Sequence, residues 1–205
     1  MFKKICVFII WSATIFGGSD SLKNSSDNIH QSYSGKFGFY TPAKELNNGL
    51  ILGIDGITEF KKYNFLLSGA VDLYFKKTID IFSPPKPVIS DQTIVLIPIH
   101  VNFGYKILEI PDAETKMFLG IGGGYYLHFY SAQYRESGGI LGGVLDKSTT
   151  QNGGDVFFTI SGRILIGKIF VEPRYYLASK STGSVDEFNY TIDPSGFAIT
   201  LGFQY

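Results

Sequence analysis

The segment FAITLGFQY, residues 197–205, ends the chain and decides the fold class. Its apolar residues recur at every second position: Phe197, Ile199, Leu201, Phe203 and Tyr205. Successive side chains of a β-strand point to opposite faces, so this period of two places all of them on one face. The same period runs back along the chain to Ser34, and no helical period of 3.6 competes with it. The chain is therefore predicted to be all-β.

Eight strands follow from this pattern, at residues 34–41, 49–60, 65–77, 92–106, 116–130, 155–166, 169–179 and 195–205. Short connections alternate with long ones, the long ones lying at 42–48, 78–91, 131–154 and 180–194. A bacterial outer-membrane barrel has short periplasmic turns and longer outer loops, whereas a soluble sandwich has no reason for this alternation. We therefore expect an eight-stranded antiparallel up-and-down transmembrane β-barrel. Whether the apolar stretch 138–145 adds strand is left open.

Sorting the predicted strands by parity separates an apolar face from a polar one. The polar face is predicted to carry a network of charges inside the barrel: Lys36, Asp55, Glu59, Asp72, Lys76, Lys106, Arg163, Glu172 and Arg174. A register slip would turn such charges into lipid, at roughly 2–4 kcal/mol each near the midplane. The pattern thus favours apolar side chains toward lipid and a lumen filled by ion pairs, with His100 as a partner for the carboxylates. Parity alone also permits a soluble barrel with an apolar cup.

The N-terminus has the pattern of an export signal. Lys3 and Lys4 precede an apolar run at 5–16, and small residues follow at a spacing that suits cleavage after Ser19. The predicted organisation is a signal peptide at 1–19, a flexible polar lead-in at 20–33 and the barrel domain at 34–205. The run is shorter than the roughly 20 residues that a membrane-spanning helix needs.

Composition excludes several functional classes. The 18 basic and 18 acidic residues balance, so no excess positive charge indicates nucleic-acid binding. The one cysteine, Cys6, lies in the predicted signal peptide, which removes disulfides, thiol catalysis and cysteine-based zinc sites from the mature chain. The three histidines are scattered along the chain, which argues against a metal site. No cofactor is expected.

The fragments FLGIGGGYY (118–126), VEPRYY (171–176) and the terminal strand resemble the small outer-membrane β-barrel family of the OmpX and OmpW type, over residues 34–205. The resemblance implies residence in the cell outer membrane as a monomer, in contact with lipid and lipopolysaccharide. It also implies that the terminal strand is the insertion signal read by the barrel-assembly machinery. Pro98 and Pro173 depart from the pattern, because each removes a ladder donor, and we expect bulges or shifted strand ends there.

A search for catalytic chemistry finds little. His128, Ser131 and Glu136 could form an acyl-transfer site, but His128 and Ser131 differ in parity, and the His and Ser spacing of barrel lipid A deacylases is missing. Gly120–Gly124 is better explained by packing than by nucleotide binding, because no helix follows. The leading hypothesis is a non-enzymatic barrel that supports the envelope or makes contacts through its outer loops. The alternatives are an OmpW-like conduit for small hydrophobic molecules, which needs an apolar upper lumen, and a lipid A-modifying enzyme.

Overall fold

The computed structural model describes residues 28–42, 46–77, 81, 88–137, 144–185 and 188–205. These residues form ten strands: β1 Ile29–Pro42, β2 Gly49–Phe60, β3 Phe65–Lys77, β4 Val88–Ile110, β5 Thr115–Ser137, β6 Val144–Ile166, β7 Ile169–Ala178, β8 Ser181–Val185, β9 Phe188–Ile192 and β10 Gly196–Gln204. Short 3-10 turns, Lys61–Tyr63 and Pro111–Ala113, join β2 to β3 and β4 to β5. The described part of the chain contains no helix long and apolar enough to cross a membrane.

Eight of the strands close into a barrel in the order β1-β10-β7-β6-β5-β4-β3-β2, while β8 and β9 form a separate hairpin. All neighbouring strands are antiparallel. The barrel closes where β1 pairs with β10, from Ser34 opposite Gln204 to Pro42 opposite Gly196. The predicted eight-stranded antiparallel barrel is confirmed. Its turn end holds the two 3-10 turns, the turn at 167–168 between β6 and β7, and the start of β1, and its loop end holds the long connections.

The barrel is inverted relative to a soluble protein. Along β2, Ile54 is 66% exposed on the outside, whereas its neighbour Asp55 is 4% exposed in the lumen. The same alternation runs around the ring, and large exposed apolar side chains occur on all eight barrel strands, among them Phe39, Leu52, Leu73, Phe103, Ile121, Phe158, Val171 and Leu201. A wall of this kind is stable only where the surrounding solvent is hydrocarbon.

Three strands extend much further than the sequence predicted. Most of the stretch 131–154, predicted as a long loop, is strand, because β5 continues to Ser137 and β6 begins at Val144. Residues 144 and 145 of the apolar stretch belong to β6, and 138–143 lie outside the described residues. Likewise, 107–110 are strand, and the predicted loop 180–194 contains the β8–β9 hairpin. The extensions of β5 and β6 were missed because their residues are mostly polar at both parities and lack the apolar alternation that marks a strand.

The first strand also begins earlier than predicted. β1 starts at Ile29 opposite Phe60, so residues 29–33 of the predicted flexible lead-in belong to the barrel. The sequence predicted a flexible polar segment here because the residues that face the lumen are small and polar, as at Ser32. The predicted signal peptide and the rest of the lead-in, up to residue 27, lie outside the described residues.

The two prolines do not produce the expected bulges. Pro98 stays in register with Tyr126 on β5, while the β3–β4 ladder is interrupted between Val71 and Tyr74 and resumes in the same register. Pro173 interrupts the β6–β7 ladder in the same way. A proline lacks only its own N–H, so it weakens the ladder on the side where that donor would point. The register shifts of β4 lie elsewhere, between Ile89 and Asp91 and between Lys106 and Leu108.

The inverted wall predicts a depth-dependent cost for outward charges. Ile121→Arg, in the middle of the outer face of β5, is expected to lower the free energy of unfolding in phospholipid vesicles by about 2–4 kcal/mol. The matched variant Ile110→Arg, beside a turn, is expected to cost about 0–1 kcal/mol. Urea unfolding followed by tyrosine fluorescence measures both. Equal costs at the two positions would contradict the assignment of this face to lipid.

Candidate functional site

The middle of the lumen contains a neutral cluster of ionised side chains. Three cations and three carboxylates, each no more than 5% exposed, form this ion cluster: Lys36, Asp55, Asp72, Arg163, Glu172 and Arg174. They come from β1, β2, β3, β6 and β7, so the cluster ties both halves of the ring together. Buried charges are tolerated only when they are paired and hydrogen-bonded, and equal numbers of each sign make complete pairing possible.

Lys36 lies among all three carboxylates. Its Nζ is 2.7 Å from Asp55 Oδ1, 3.1 Å from Asp72 Oδ1 and 3.8 Å from Glu172 Oε1. The space for this ammonium comes from Gly53 on β2, where a Cβ would lie 2.6 Å from Lys36 Cε. A lysine acts here as a compact point charge that several carboxylates can share.

The two arginines bridge the same carboxylates in pairs. Arg163 contacts Asp55 and donates from Nε to Glu172 Oε2 at 2.7 Å, and its guanidinium lies 4.3 Å from the ring centroid of Phe170. Arg174 contacts Glu172 and lies 3.2 Å from Asp72 Oδ2 through Nη1. Each carboxylate therefore contacts two or more cations. Removing one member would leave charges without partners in a water-poor interior.

A chain of neutral hydrogen bonds extends the cluster toward β4 and β6. Thr159 Oγ1 donates to Asn102 Oδ1 at 2.8 Å, and Asn102 Nδ2 donates to His100 Nδ1 at 2.8 Å. His100 Nε2 lies 2.9 Å from Asp72 Oδ2 and 2.5 Å from Arg174 Nη1. The hydroxyl of Tyr176 donates to the same oxygen at 3.0 Å. The predicted partnership of His100 with a lumen carboxylate is what the structure shows.

The glycines of β5 make room for this chain. A Cβ at Gly122 would lie 2.5 Å from Val101 O and 2.7 Å from Thr159 Oγ1, and one at Gly124 would lie 2.7 Å from the Cα of His100. Any larger residue would displace the polar groups that face β5. The glycine run is therefore a packing feature of the barrel wall.

A second charged group lies at the turn end. Lys116 Nζ donates to both carboxylate oxygens of Glu59, at 2.9 and 2.8 Å, and Lys106 Nζ lies 3.7 Å from Glu59 Oε1. Lys106 also donates to Glu109. Glu109 and Lys116 were missed by the sequence analysis. Glu109 lies after the register shift at Ile107, which reverses its parity, so simple alternation places it on the wrong face.

Lys76 belongs to neither group. Its Nζ donates to the backbone carbonyl of Asn48 at 2.6 Å, at the loop end of the barrel. The structure thus brings six of the nine predicted network residues into the ion cluster, places Glu59 and Lys106 at the turn end, and leaves Lys76 at the opposite rim. The sequence could not separate these layers, because parity fixes the face of a strand and not the depth along it.

The upper lumen is aromatic and apolar instead of charged, which corrects the expectation of a charged lumen throughout. We call this layer the aromatic collar, and its buried members include Tyr40, Ile51, Tyr74, Leu96, Tyr126, Tyr130, Phe157 and Tyr176. The collar is closely packed, and the cavity at its centre measures about 10 Å³. These residues occupy the same inward-facing strand positions as the charged residues. The sequence therefore contained the parity that places them in the lumen, but only the polar residues at these positions were assigned to it.

Tyrosine hydroxyls of this collar donate hydrogen bonds to the backbone of the connections at the loop end. Tyr40 donates to the carbonyl of Pro194, Tyr74 to that of Asn47, and Tyr126 to that of Ser179 at 2.8 Å. Tyrosine suits this position because its ring packs in the apolar layer while its hydroxyl reaches a polar partner.

The segment 188–195, which we call the cap, covers the collar from above. Ile192 and Tyr190 are buried, and Thr191 N donates to the carbonyl of Ile81 at 2.9 Å. Burial by itself would raise the pKa of Asp193 in the cap. The hydrogen bonds from Ser195 and the nearby ammonium of Lys180 outweigh burial and hold that pKa below its ordinary value.

The candidate acyl-transfer residues do not form a site. His128 is buried in the lumen, whereas Ser131 is exposed on the opposite face of β5, and the side chain of Glu136 lies outside the described part of the structure. Within the described residues, no group of three His, Cys, Asp or Glu side chains is placed to hold a metal ion. The C-terminal strand pairs with β1 and β7, and its apolar residues face outward, with Tyr205 70% exposed.

Neither a protein-family model nor a curated protein matches this chain. Solved structures with a similar fold outline include the attachment invasion locus protein Ail of Yersinia pestis, with 8% identity and a TM-score of 0.48 over 87% of this chain and 99% of that one. Neisserial surface protein A has 10% identity and a TM-score of 0.41, over 87% and 98%. The N-terminal β-barrel domain of Pseudomonas aeruginosa OprF has 8% identity and a TM-score of 0.40, over 85% and 97%. Likenesses this distant do not indicate what the chain binds.

The ion cluster predicts a large effect for one carboxylate. Asp72→Asn removes the charge that Lys36, Arg174 and His100 share, and is expected to lower the free energy of unfolding by about 3–5 kcal/mol. Asp112→Asn, in an exposed turn, is expected to change it by less than about 0.5 kcal/mol. Urea titration of both variants in vesicles measures the difference. A loss below about 1 kcal/mol for Asp72→Asn would contradict a tightly coupled cluster.

The glycine spacing predicts a second contrast. Gly53→Ala drives a methyl group into the contact between Lys36 and Asp72 and is expected to destabilise the barrel by about 1–3 kcal/mol. At Gly104, the nearest atom to an added Cβ is 3.5 Å away, so Gly104→Ala is expected to stay within about 0.5 kcal/mol of the wild type. The same titration compares them, and an inverted order would show that Gly53 does not make space for the cluster.

Proposed function

We propose that this protein is a non-enzymatic barrel of the outer membrane that holds a three-stranded sheet above the membrane as a contact surface. The observation that carries the proposal is the sheet itself. β4, β5 and β6 continue past the level at which β3 and β7 stop pairing with them. Functional contact is then made by ordered strands in place of irregular loops.

The membrane location is supported by the inverted wall. Apolar side chains cover the outside of all eight barrel strands, and the ionised groups of the lumen balance one another. The closed ring leaves no strand edge in the hydrocarbon, as a membrane requires of any β-structure. By analogy with other bacterial barrels, the turn end faces the periplasm and the loop end faces outward. Lipid and lipopolysaccharide would surround the wall.

The filled lumen argues against transport. The ion cluster occupies the middle of the barrel. The aromatic collar fills the lumen toward the loop end and leaves a cavity of only about 10 Å³ at its centre. An apolar collar is what an OmpW-like conduit for hydrophobic molecules would need, but such a conduit also needs open space. Eight strands enclose an interior just wide enough for side chains to fill.

The projecting sheet has an edge on β6 that pairs with no further strand in the described part of the chain, although β8 lies close to part of β6. The β6–β7 ladder ends at Phe157 opposite Ala178, whereas the β5–β6 ladder continues to Ser137 opposite Val144. Residues 144–155 of β6 therefore have no ladder partner on their second side among the described residues. At about 3.3 Å per residue, this edge is roughly 40 Å long. Unpaired backbone groups of this kind accept an added strand from another polypeptide.

The middle of this edge lacks the usual protection. Charged residues occur only near its ends, at Asp146, Lys147 and Asp155, and the stretch STTQNGG, residues 148–154, has no charge and no proline, although lysines, prolines and bulges are the common means of blocking an edge. Its polar residues keep the strand soluble while its backbone stays available. An extended peptide segment of a partner protein is the ligand that fits this surface.

The terminal strand is proposed to direct assembly. In the finished barrel Tyr205 is hydrogen-bonded through its backbone to Tyr33, which closes β10 onto β1. The barrel-assembly machinery would therefore read the outward residues Phe197, Ile199, Leu201, Phe203 and Tyr205 before this closure takes place.

The orientation is tested by labelling single cysteines on intact cells, because the predicted mature chain has none. Thr150→Cys, on the projecting sheet, is expected to react with a membrane-impermeant maleimide. Asp112→Cys, in a turn, is expected to react only after the outer membrane is permeabilised. Labelling at position 112 but not 150 on intact cells would reverse the orientation and remove the basis for outward contact.

The contact role is tested by shortening the sheet. Because Ser131 pairs with Thr150, replacing residues 132–149 by Asn-Gly keeps the β5–β6 register and halves the unpaired edge. We expect the shortened barrel to fold but to bind arrays of extended decapeptides much more weakly, while the intact protein binds them and not their copies with alternate prolines. Equal binding to the proline copies would exclude strand addition. Failure of the shortened chain to fold would show that the sheet is part of the barrel's stability instead.

A further inference from the structure

His128 is a buried polar group that has no partner among the described residues. Its side chain lies in the aromatic collar at 1% exposure, and neither ring nitrogen makes a hydrogen bond within this part of the chain. Buried polar groups in folded proteins almost always have a hydrogen-bond partner. A group without one has lost its hydrogen bonds to water on burial and has gained none in the protein, which costs free energy. His128 thus differs from His100, whose two nitrogens face Asp72 and Asn102.

The surroundings of His128 are close and apolar. Leu96 of β4 is its cross-strand neighbour on one side and Gly153 of β6 on the other. A Cβ at Gly153 would lie 2.7 Å from the imidazole, so the ring fills the slot that the glycine leaves. The ring of Tyr126 packs beside it, with centroids 6.1 Å apart. A neutral imidazole fits this slot as an aromatic ring would.

No described group is placed to balance a positive charge there. The titratable residues of the surrounding elements are Tyr126 and Tyr130 on β5, Asp155 on β6, and Tyr190 and Asp193 in the cap, while β4 presents Leu96 and Pro98. Both carboxylates are already engaged. Asp155 accepts from Val156 N at 2.7 Å, and Asp193 accepts from Ser195 N at 3.0 Å and lies 3.4 Å from Lys180 Nζ.

The cap that seals this layer is attached to the barrel by separate polar bonds and not by a strand ladder. Tyr190 packs on Tyr130 with ring centroids 6.3 Å apart, Thr191 N donates to Ile81 O, and the hydroxyl of Tyr40 donates to the carbonyl of Pro194. At the end of the cap, Ser195 Oγ accepts from Ala178 N at 3.1 Å and donates to Ala178 O at 3.3 Å. The β8–β9 hairpin is not part of the barrel ladder. It can therefore separate from the collar without breaking any barrel strand pair.

We infer that His128 is a pH sensor, and that its protonation releases the cap from the aromatic collar and admits water to the outer lumen. An imidazolium needs water or a counter-charge, and the closed collar supplies neither. Protonation therefore favours the open arrangement, and neutral pH favours the closed one. The ion cluster below stays in place, so opening creates an outer vestibule lined by tyrosines and not a channel across the membrane.

Release of the cap is measured by thiol accessibility. Ala132 is 2% exposed and belongs to the same buried cluster as Tyr190 and Ile192 of the cap, so Ala132→Cys places a near-isosteric reporter in that cluster. Its reaction rate with a methanethiosulfonate reagent, divided by the rate of the same protein unfolded at the same pH, corrects for thiol ionisation. We expect this ratio to rise by at least about tenfold from about pH 8 to about pH 5. A second readout in the unmodified chain is hydrogen exchange at the Thr191 amide, corrected for intrinsic exchange.

The variants decide the assignment. His128→Gln and His128→Leu are expected to give a ratio that does not change with pH, while His30→Gln, at the turn end, keeps the wild-type response. Only three histidines occur in the chain, so a response that survives in both His128 variants would belong to another group and overturn the inference. A wild-type ratio and a Thr191 exchange rate that are both constant with pH would overturn it as well, whichever variants fold.

Discussion

The structure depends on one constraint: a narrow barrel with an apolar outside must place every charge of its strands in a lumen that holds little water. Lys36 shows how the constraint is met, because its ammonium lies among three carboxylates contributed by three different strands. Opposite charges in equal number make the cluster neutral, and the arginines complete it. Since each member sits at a fixed depth on its strand, the cluster also stabilises one register of the sheet against slippage.

The rest of the lumen is arranged around this cluster in layers. Glycines of β2 and β5 leave the space that the ionised and amide side chains occupy. Above it, tyrosines fill the outer lumen and fasten the connections through their hydroxyls, so that the cap rests on an ordered surface. Below it, Glu59 and two lysines form a smaller ion group beside a cavity of about 430 Å³ at the turn end. This layering gives a barrel that is closed at its loop end, beyond which the three-stranded sheet projects.

Much of the fold was predictable because the period of two is strong wherever one face meets hydrocarbon. The bounds of β2 and β3 agree with the sequence prediction to the residue. The signal fails where that contrast disappears, as in the projecting part of β5 and β6, whose residues are mostly polar at both parities. It also fails at Glu109, where a register shift reverses parity, and at Lys116, which lies at the predicted start of its strand. Depth in the lumen, and hence the separation of Lys76 from the ion cluster, is not encoded in alternation.

The most direct test of the inverted barrel is the electrophoretic mobility of the membrane-extracted protein in SDS, unheated and boiled. A closed ladder of eight strands resists detergent, so the unheated protein should migrate as a compact, faster band that slows on boiling. A single band of unchanged mobility, with the protein recovered in the soluble periplasmic fraction, would contradict the account. The exposed wall would then have to be covered by something other than lipid.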